Sequence, residues 1–286
     1  DDEIIRRLKQ GNSSSFIYVV PTKRKLRGLQ REFLKHVSSG TSPAFHLFTL
    51  ETLAERLFAI LCPPRNIVAG PAQAVLLNGA IRSVEGSLGY FRLRGVNRQL
   101  PKGTFQKILD TIIYFKEQGK YPSSLHADCE VLEGSEKKKL QDIIAIYESY
   151  EKLLGTHFID TAGIFKELNA DWDKNLYDQK IRQQFVDVNT LFVAGFDEFS
   201  DPELTFLHHL SNLQGIGTVV SFDYHQDNNE LFGHLKENYK KFIEMNFQKI
   251  KTQRQNQNTF TNHITEHLFR YDHQVQKHRS EEHTSE

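Results

Sequence analysis

The sequence predicts an α/β fold in which a parallel β-sheet domain is interrupted by an all-helical insertion. Four short apolar runs rich in β-forming residues each border a segment with helical periodicity. Such alternation is typical of βα crossovers and of a sheet covered on both faces. Between the second and third runs, residues 71–170 keep a helical pattern almost throughout. The chain is therefore expected to leave the sheet after Leu61 and to return to it near Val186.

The first two predicted strands are each followed directly by a predicted helix. Residues 16–21 (FIYVVP) form the first apolar run, and the helix after it carries apolar residues on one face, from Leu26 to Leu34. Residues 45–49 (FHLFT) form the second run and lead into a helix predicted at Leu50–Leu61. These two pairs of elements constitute the first part of the predicted sheet domain.

Three groups of apolar residues in the middle of the chain predict helices. Within each group the apolar residues recur at spacings of three and four, which places them on one face. The groups lie at residues 72–81, 105–113 and 140–154.

The domain boundaries follow from this change of pattern. We predict the sheet domain at 1–66 and 186–250, the helical insertion at 67–185, and a polar segment at 251–278 that leads toward a C-terminal region outside the sequence.

The third predicted strand leads into an acidic turn and an abruptly started helix. The run LFVAGF, which ends at Phe196, is continuous and apolar, and two acidic residues follow it. Ser200 stands three residues before Glu203, which is the serine-to-glutamate spacing of a capping box. A fourth apolar run, at 217–224, follows this helix and predicts the last strand.

Composition limits the classes of function. The 286 residues suffice for one sheet domain and an insertion, and 36 basic residues balance 36 acidic ones. Any contact with DNA must therefore come from a local patch. Cys62 and Cys129 are too few for a disulfide framework or a metal knuckle, which fits a reducing cytosol. No apolar run has membrane-spanning length and no signal peptide precedes the domain, so we expect a cytoplasmic protein without a membrane partner.

Both ends of the sequence have features of an interrupted reading frame. There is no initiator methionine, and DDEIIRRLKQG has the pattern of the middle of a helix. Residues 279–286 (RSEEHTSE) match the in-frame translation of a common short-read sequencing adapter. We therefore expect 279–286 to be an artefact, with a genuine polar tail as the alternative.

A basic cluster follows the first predicted strand. Its members are Thr22, Lys23, Arg24, Lys25, Arg27 and Arg31. The cluster begins in the loop at the carboxyl end of the strand and continues into the start of a helix, where backbone N–H groups and cations can converge on a phosphate. The residues alone leave two alternatives open, a phosphate-binding site and a solvated helix face.

A second basic group lies in a predicted loop of the insertion. It combines cations with aromatic residues, which suits single strands through charge and stacking. Its members are Tyr90, Phe91, Arg92, Arg94, Arg98 and Lys102. An ordinary loop between helices is the alternative.

One match to a metal motif is attributed to chance. His263, Glu266 and His267 have the HxxEH spacing of inverted zinc peptidases, but they lie in a polar stretch with no third ligand in view. We therefore predict no metal site and no catalytic residue within this sequence.

Four segments occur in the order YVVPTKRKLRGLQREF, FTLETLAERLF, KLQDIIAIYESYEKLLGTHFIDTAGIF and LFVAGFDEFSDPELTFLHHL. In this order they resemble the N-terminal, inactivated helicase half of the AddB (RexB) subunit of bacterial helicase-nucleases. The resemblance covers about residues 4–224 and implies a RecA-like (P-loop NTPase-like) sheet. It places YVVPTKRK at the first single-strand DNA-binding motif of a UvrD-type helicase, so the resemblance implies that the basic cluster binds DNA.

The same resemblance implies a degenerate Walker B site made of Ala194, Gly195, Asp197 and Glu198. VAGFDE stands where an active helicase has V-D-E-F-Q-D, so Ala194 and Gly195 replace the two carboxylates. A methyl group or a hydrogen can neither hold Mg²⁺ nor orient a water, so we expect no ATP hydrolysis. In the alternative, Asp197 and Glu198 are a working pair in a shifted register.

The resemblance further implies a DNA-binding scaffold, rather than a motor, within a helicase/exonuclease that processes double-strand breaks. Its expected partners are single-stranded or duplex-end DNA and an AddA-type helicase-nuclease subunit. A PD-(D/E)XK nuclease domain with Mg²⁺ and, in many members, an iron-sulphur cluster is expected beyond this sequence, and no cofactor within it. The alternatives are an active superfamily-one helicase ATPase whose Walker A loop precedes Asp1, and a protein-interaction scaffold that binds no DNA.

Overall fold

A computed structural model describes residues 2–37, 45–93, 100–170, 172–222, 224 and 229–250. The strands are β1 (Phe16–Val20), β2 (His46–Thr49), β3 (Asn66–Val68), β4 (Phe158–Asp160), β5 (Thr190–Phe196) and β6 (Gly217–Phe222). The helices are α1 (Asp2–Lys9), α2 (Lys23–His36), α3 (Leu50–Leu61), α4 (Pro71–Val84), α5 (Lys102–Glu117), α6 (Pro122–Glu130), α7 (Gly134–Leu154), α8 (Ile164–Ala170), α9 (Lys174–Gln184), α10 (Asp201–Ser211), α11 (Asn229–Phe232) and α12 (Lys236–Glu244).

These residues form two compact units. The first comprises the described parts of 1–194 and 200–220, and the second comprises 195–199 with the described part of 221–250.

The main sheet has the strand order β2-β1-β5-β6 and is built around β1. β1 pairs in parallel with β2 and with β5, so that Val19 lies opposite Phe48 on one side and Val193 on the other. All five residues of β1 are buried, as expected of a central strand covered on both faces. The predicted α/β class with a mostly parallel sheet is therefore confirmed.

Helices α1 and α2 share an apolar core with one face of this sheet. Ile4 and Leu8 of α1 join Phe33 of α2 and the alternate β1 residues Phe16 and Tyr18 in one buried cluster. The ring of Phe33 meets that of Tyr18 edge-on at 5.8 Å and that of Phe16 at 6.1 Å, which is a favoured aromatic geometry. This packing fixes α2 relative to the end of β1.

Two helices of the first unit begin at side-chain caps. α3 occupies Leu50–Leu61 as predicted, because Thr49 and Thr52 exchange backbone and hydroxyl hydrogen bonds at its start. At the start of α10, the Glu203 carboxylate accepts hydrogen bonds from the backbone N–H of Ser200 at 2.8 Å and from its hydroxyl at 2.9 Å. The predicted pairing of Ser200 with Glu203 is confirmed.

Helices α4 to α7 share a separate hydrophobic core. Leu77, Ile112, Ile144, Tyr147 and Tyr150 are among its buried members. The three helices predicted in this region correspond to α4, α5 and α7, whereas α6 and a small parallel sheet of β3 and β4 were not predicted. The domain boundaries derived from the sequence stay predictions.

A buried ionic network ties α5 and α7 to the end of β4. Lys116 is 2% exposed, and its Nζ donates to Glu151 Oε1 at 2.6 Å and to Asp160 Oδ2 at 2.8 Å. Asp160 is completely buried and also accepts a hydrogen bond from Gly163 N at 2.8 Å. The ammonium lies 5.7 Å from the ring centre of Tyr150. The lysine charge is thus balanced by two carboxylates and an aromatic face.

The second unit is held by aromatic contacts and one asparagine. Phe199 stacks on Phe196 at 4.7 Å and meets Phe242 edge-on at 5.6 Å. Asn238 bonds both backbone groups of Phe199, accepting from its N–H at 2.7 Å and donating to its carbonyl at 3.0 Å. These contacts fix the backbone just after β5.

Candidate nucleic-acid interface

The basic cluster lies at the start of α2, directly after the carboxyl end of β1. Thr22 is the N-cap residue, and its Oγ1 accepts a hydrogen bond from Lys25 N at 3.2 Å. The first backbone N–H groups of a helix have no intrahelical acceptor, and the helix dipole adds partial positive charge there. The position therefore combines backbone donors with the side-chain cations of Lys23 and Arg24.

The six predicted DNA-binding residues are all solvent-exposed. They are Thr22, Lys23, Arg24, Lys25, Arg27 and Arg31. Arg24, Arg27 and Arg31 follow each other at spacings of three and four, so they lie on one helix face. Arg27 Nε donates to Lys23 O at 3.3 Å, which draws its guanidinium toward the start of the helix. The geometry allows contact with several successive phosphates.

Gly195, near the end of β5, has a backbone conformation that favours glycine. Ala194 packs against the apolar cluster under α2, and Gly195 has a φ of +76°. A left-handed φ is readily adopted by glycine and costs energy for other residues. A side chain other than hydrogen at position 195 would therefore be strained.

Asp197 and Glu198 lie beyond the strand. β5 ends at Phe196, and both acidic side chains are exposed in the turn that follows. Phe199 is buried and hydrogen-bonded behind this turn, so the acidic pair faces solvent. The solvent-facing turn is consistent with an acidic surface pair rather than with a buried metal ligand.

The second basic group is partly outside the described residues. Arg94 and Arg98 fall there, whereas Arg92 and Lys102 are described and exposed. The loop before Arg92 is anchored by Asp142, whose carboxylate accepts backbone hydrogen bonds from residues 89, 90 and 91 at 2.8–2.9 Å.

The remaining predictions from the sequence concern a metal site, the terminal octapeptide and membrane-spanning segments. His263, Glu266 and His267 lie outside the described residues, as does the octapeptide 279–286. Within the described part of the chain, no three His, Cys, Asp or Glu side chains come together as a metal site. None of the described helices is both long and apolar enough to cross a bilayer.

Sequence reasoning missed the buried acidic residues and the buried lysine that connect α5, α7, β4 and the loop at residues 89–91. Asp142 and Asp160 are buried carboxylates, and Lys116 is a buried cation near the end of α5. Each stands in an otherwise ordinary amphipathic or loop pattern, so hydropathy alone assigns it to solvent. No local signal in the sequence distinguishes them.

Comparison with known families decides the classification. A family model described as "ADDB, N-terminal" matches residues 1–271. The chain belongs to this AddB N-terminal family. The resemblance found in the four sequence segments is thereby confirmed.

Relatives in three Listeria species are each named as a subunit of an ATP-dependent helicase/deoxyribonuclease. The proteins of Listeria welshimeri, Listeria innocua and Listeria monocytogenes are each 21% identical to this AddB-type chain over 210 residues, which is 73% of the chain. The match covers 17% of each relative, so the chain corresponds to a small part of their length.

Proposed function

We propose that this AddB-type chain is the inactivated helicase-like region of a subunit that processes DNA double-strand breaks, and that it binds DNA without acting as a motor. The observation that carries the proposal is the exposed basic start of α2 at the carboxyl end of β1. Ligands of open parallel sheets bind beyond the carboxyl ends of the strands, which is where these cations lie. The match to the AddB N-terminal model supports the same role.

The proposal includes a RecA-like sheet domain with a helical insertion. The parallel pairing of β1 with β2 and β5 supports such a sheet, and the separate core of α4 to α7 supports the insertion. Within the predicted insertion, 67–185, the segment that holds α4 to α7 starts after β3 and ends before β4, and these two strands pair with each other.

The absence of a motor function is supported by the end of β5. Ala194 and Gly195 offer no oxygen ligand for Mg²⁺, and the φ of Gly195 disfavours a side chain at that position. Asp197 and Glu198 are exposed beyond the strand. An active helicase ATPase is therefore less well supported than a DNA-binding scaffold.

The proposed partners are single-stranded or duplex-end DNA and an AddA-type helicase-nuclease subunit, in the cytoplasm. The names of the Listeria relatives, which describe one subunit of a helicase and deoxyribonuclease, support an assembly of this kind. Nuclease chemistry, with its Mg²⁺ and an iron-sulphur cluster, is proposed for regions of the full protein beyond this chain.

Binding to single-stranded poly-dT, measured over a range of salt, tests the proposal. Lys23, Arg24 and Arg27 are changed together to Ala, which removes three cations and preserves helix propensity. Each lost phosphate contact lowers the slope of log affinity against log salt by about 0.7, so the triple variant should lose up to about 2. Its affinity should fall most at low salt.

A matched triple variant controls for net charge. The control changes three exposed lysines on or beside α5 to α7 to Ala, which removes the same charge. They are Lys120, Lys138 and Lys152. This control should keep the salt slope of the unmodified chain. If the two triple variants bind alike, the start of α2 is only a solvated helix face. If neither variant nor the unmodified chain binds, the scaffold that binds no DNA is favoured.

A further inference from the structure

An open groove of about 760 Å³ lies in the first unit, between α5, α7 and the loop that carries Tyr90 and Arg92. Its volume falls within the range of about 300–1,000 Å³ that is typical of ligand sites. The groove is separate in sequence from the basic start of α2. Its lining combines exposed aromatic rings with cations, and these two properties indicate what it can bind.

Two tyrosines that line the groove are unusually exposed. Tyr90 is 45% exposed and Tyr114 is 58% exposed. The ring of Tyr90 lies perpendicular to that of buried Phe91, with the ring centres 5.0 Å apart. Large aromatic side chains contribute most when covered, so two exposed ones on one groove suggest a stacking partner.

The charge of the groove is positive. Among the described residues that line it are three cations, Arg92, Lys107 and Lys139, and one carboxylate, Asp110. Asp110 accepts a hydrogen bond from Gln106 at 2.8 Å. On α5 the lining residues Thr104, Lys107, Thr111 and Tyr114 recur at spacings of three and four, so a single helix face carries hydroxyls, a cation and an aromatic ring. This combination matches a ligand with anionic groups and flat rings.

The loop that carries Tyr90 and Arg92 is pre-organised. The buried carboxylate of Asp142, on α7, accepts hydrogen bonds from the backbone N–H groups of Gly89, Tyr90 and Phe91 at 2.9, 2.8 and 2.8 Å. Hydrogen bonds to an ionised acceptor are stronger than neutral ones, and three of them hold consecutive residues. One wall of the groove is therefore fixed before any ligand arrives, which lowers the entropy cost of binding.

We propose that this groove binds a segment of single-stranded DNA, with bases stacked on Tyr90 and Tyr114 and phosphates held by Arg92, Lys107 and Lys139. Aromatic platforms beside cations bind single strands with little sequence preference, because every base offers a flat face and every nucleotide a phosphate. The inference rests on the proposed DNA-binding function and adds a second contact surface to it. In this groove the bases are bound by stacking, whereas the start of α2 contacts phosphates only.

The test uses a short oligo-dT that contains 2-aminopurine, whose fluorescence reports stacking. Tyr90→Ala and Tyr114→Ala should each weaken binding by roughly 5-fold to more than 100-fold and reduce the fluorescence change on binding. Tyr90→Phe and Tyr114→Phe keep the ring and should restore both readouts. Loss of affinity that the Phe variants do not restore would point to the hydroxyl or to folding, and would overturn the stacking role.

The cations are tested separately from α2. Changing Arg92, Lys107 and Lys139 together to Ala should lower the salt slope by up to about 2 while the stacking signal persists at low salt. The control triple at Lys120, Lys138 and Lys152 should change neither. If the groove variants match the unmodified chain while the α2 variant fails to bind, the groove proposal is wrong and the α2 site stands. If only the groove variants lose binding, the α2 site is wrong and the groove stands.

Discussion

Replacing Lys116 with Met removes the cation from the buried network between α5, α7 and β4. Lys116 Nζ lies 2.6 Å from Glu151 and 2.8 Å from Asp160, and Asp160 has no exposure to water. Glu151 is part-exposed and can hydrate after the change, whereas Asp160 cannot. Removing one partner of a buried ion pair costs about 3–5 kcal/mol, because the other charge stays buried. This is a large share of the about 5–15 kcal/mol that stabilises a typical domain.

Thermal and urea unfolding followed by circular dichroism measure this loss. At about 2–4 °C per kcal/mol for a chain of this size, the melting temperature should fall by about 6–20 °C. Adding Asp160→Asn to Lys116→Met should recover at least about 1 kcal/mol, since no unpaired charge then stays buried. The exposed control Lys152→Met should change stability by less than about 0.5 kcal/mol. A loss below about 1 kcal/mol for Lys116→Met would refute the network as a determinant of stability.

Three further predictions concern single positions. Asp142→Ala should destabilise the chain by about 2–4 kcal/mol, because three backbone N–H groups lose a charged acceptor, and hydrogen exchange should localise the loss to residues 89–91. Gly195→Val should cost about 1–3 kcal/mol at φ +76°, and Gly195→Asn clearly less; equal losses in urea melts would contradict the backbone argument. Burial lowers the pKa of His209, which stacks at 4.7 Å on Trp172, the only tryptophan. Its contribution to stability should therefore be lost as the pH falls below about 6.5. Tryptophan emission should be quenched over the same pH range, and His209→Phe should remove this quenching. A quenching midpoint above about pH 6.5 would contradict the lowered pKa.

Much of the main sheet could be predicted from the sequence. The runs that become β1, β2, β5 and β6 are apolar and bounded by helices, and α3 begins and ends at the predicted residues. These elements carry strong local signals, namely buried strands and capped amphipathic helices.

The elements that were missed have weak local signals. β3 and β4 are only three residues each, and they exist because they pair with each other across the intervening helices. Lys116 and Asp142 are buried because tertiary partners compensate their charge, which no periodicity reports. The exposed groove at Tyr90 and Tyr114 likewise depends on how the loop packs on α5 and α7.

Phosphate release from ATP and Mg²⁺, measured on the full-length product of this gene saturated with poly-dT, tests the central claim most directly. We expect the protein to bind the DNA and to release phosphate only at the background rate, because Ala194 and Gly195 supply no carboxylate at the end of β5. DNA-stimulated release that disappears when Asp197 is changed to Asn and Glu198 to Gln would contradict it, and would establish these exposed acids as a working pair.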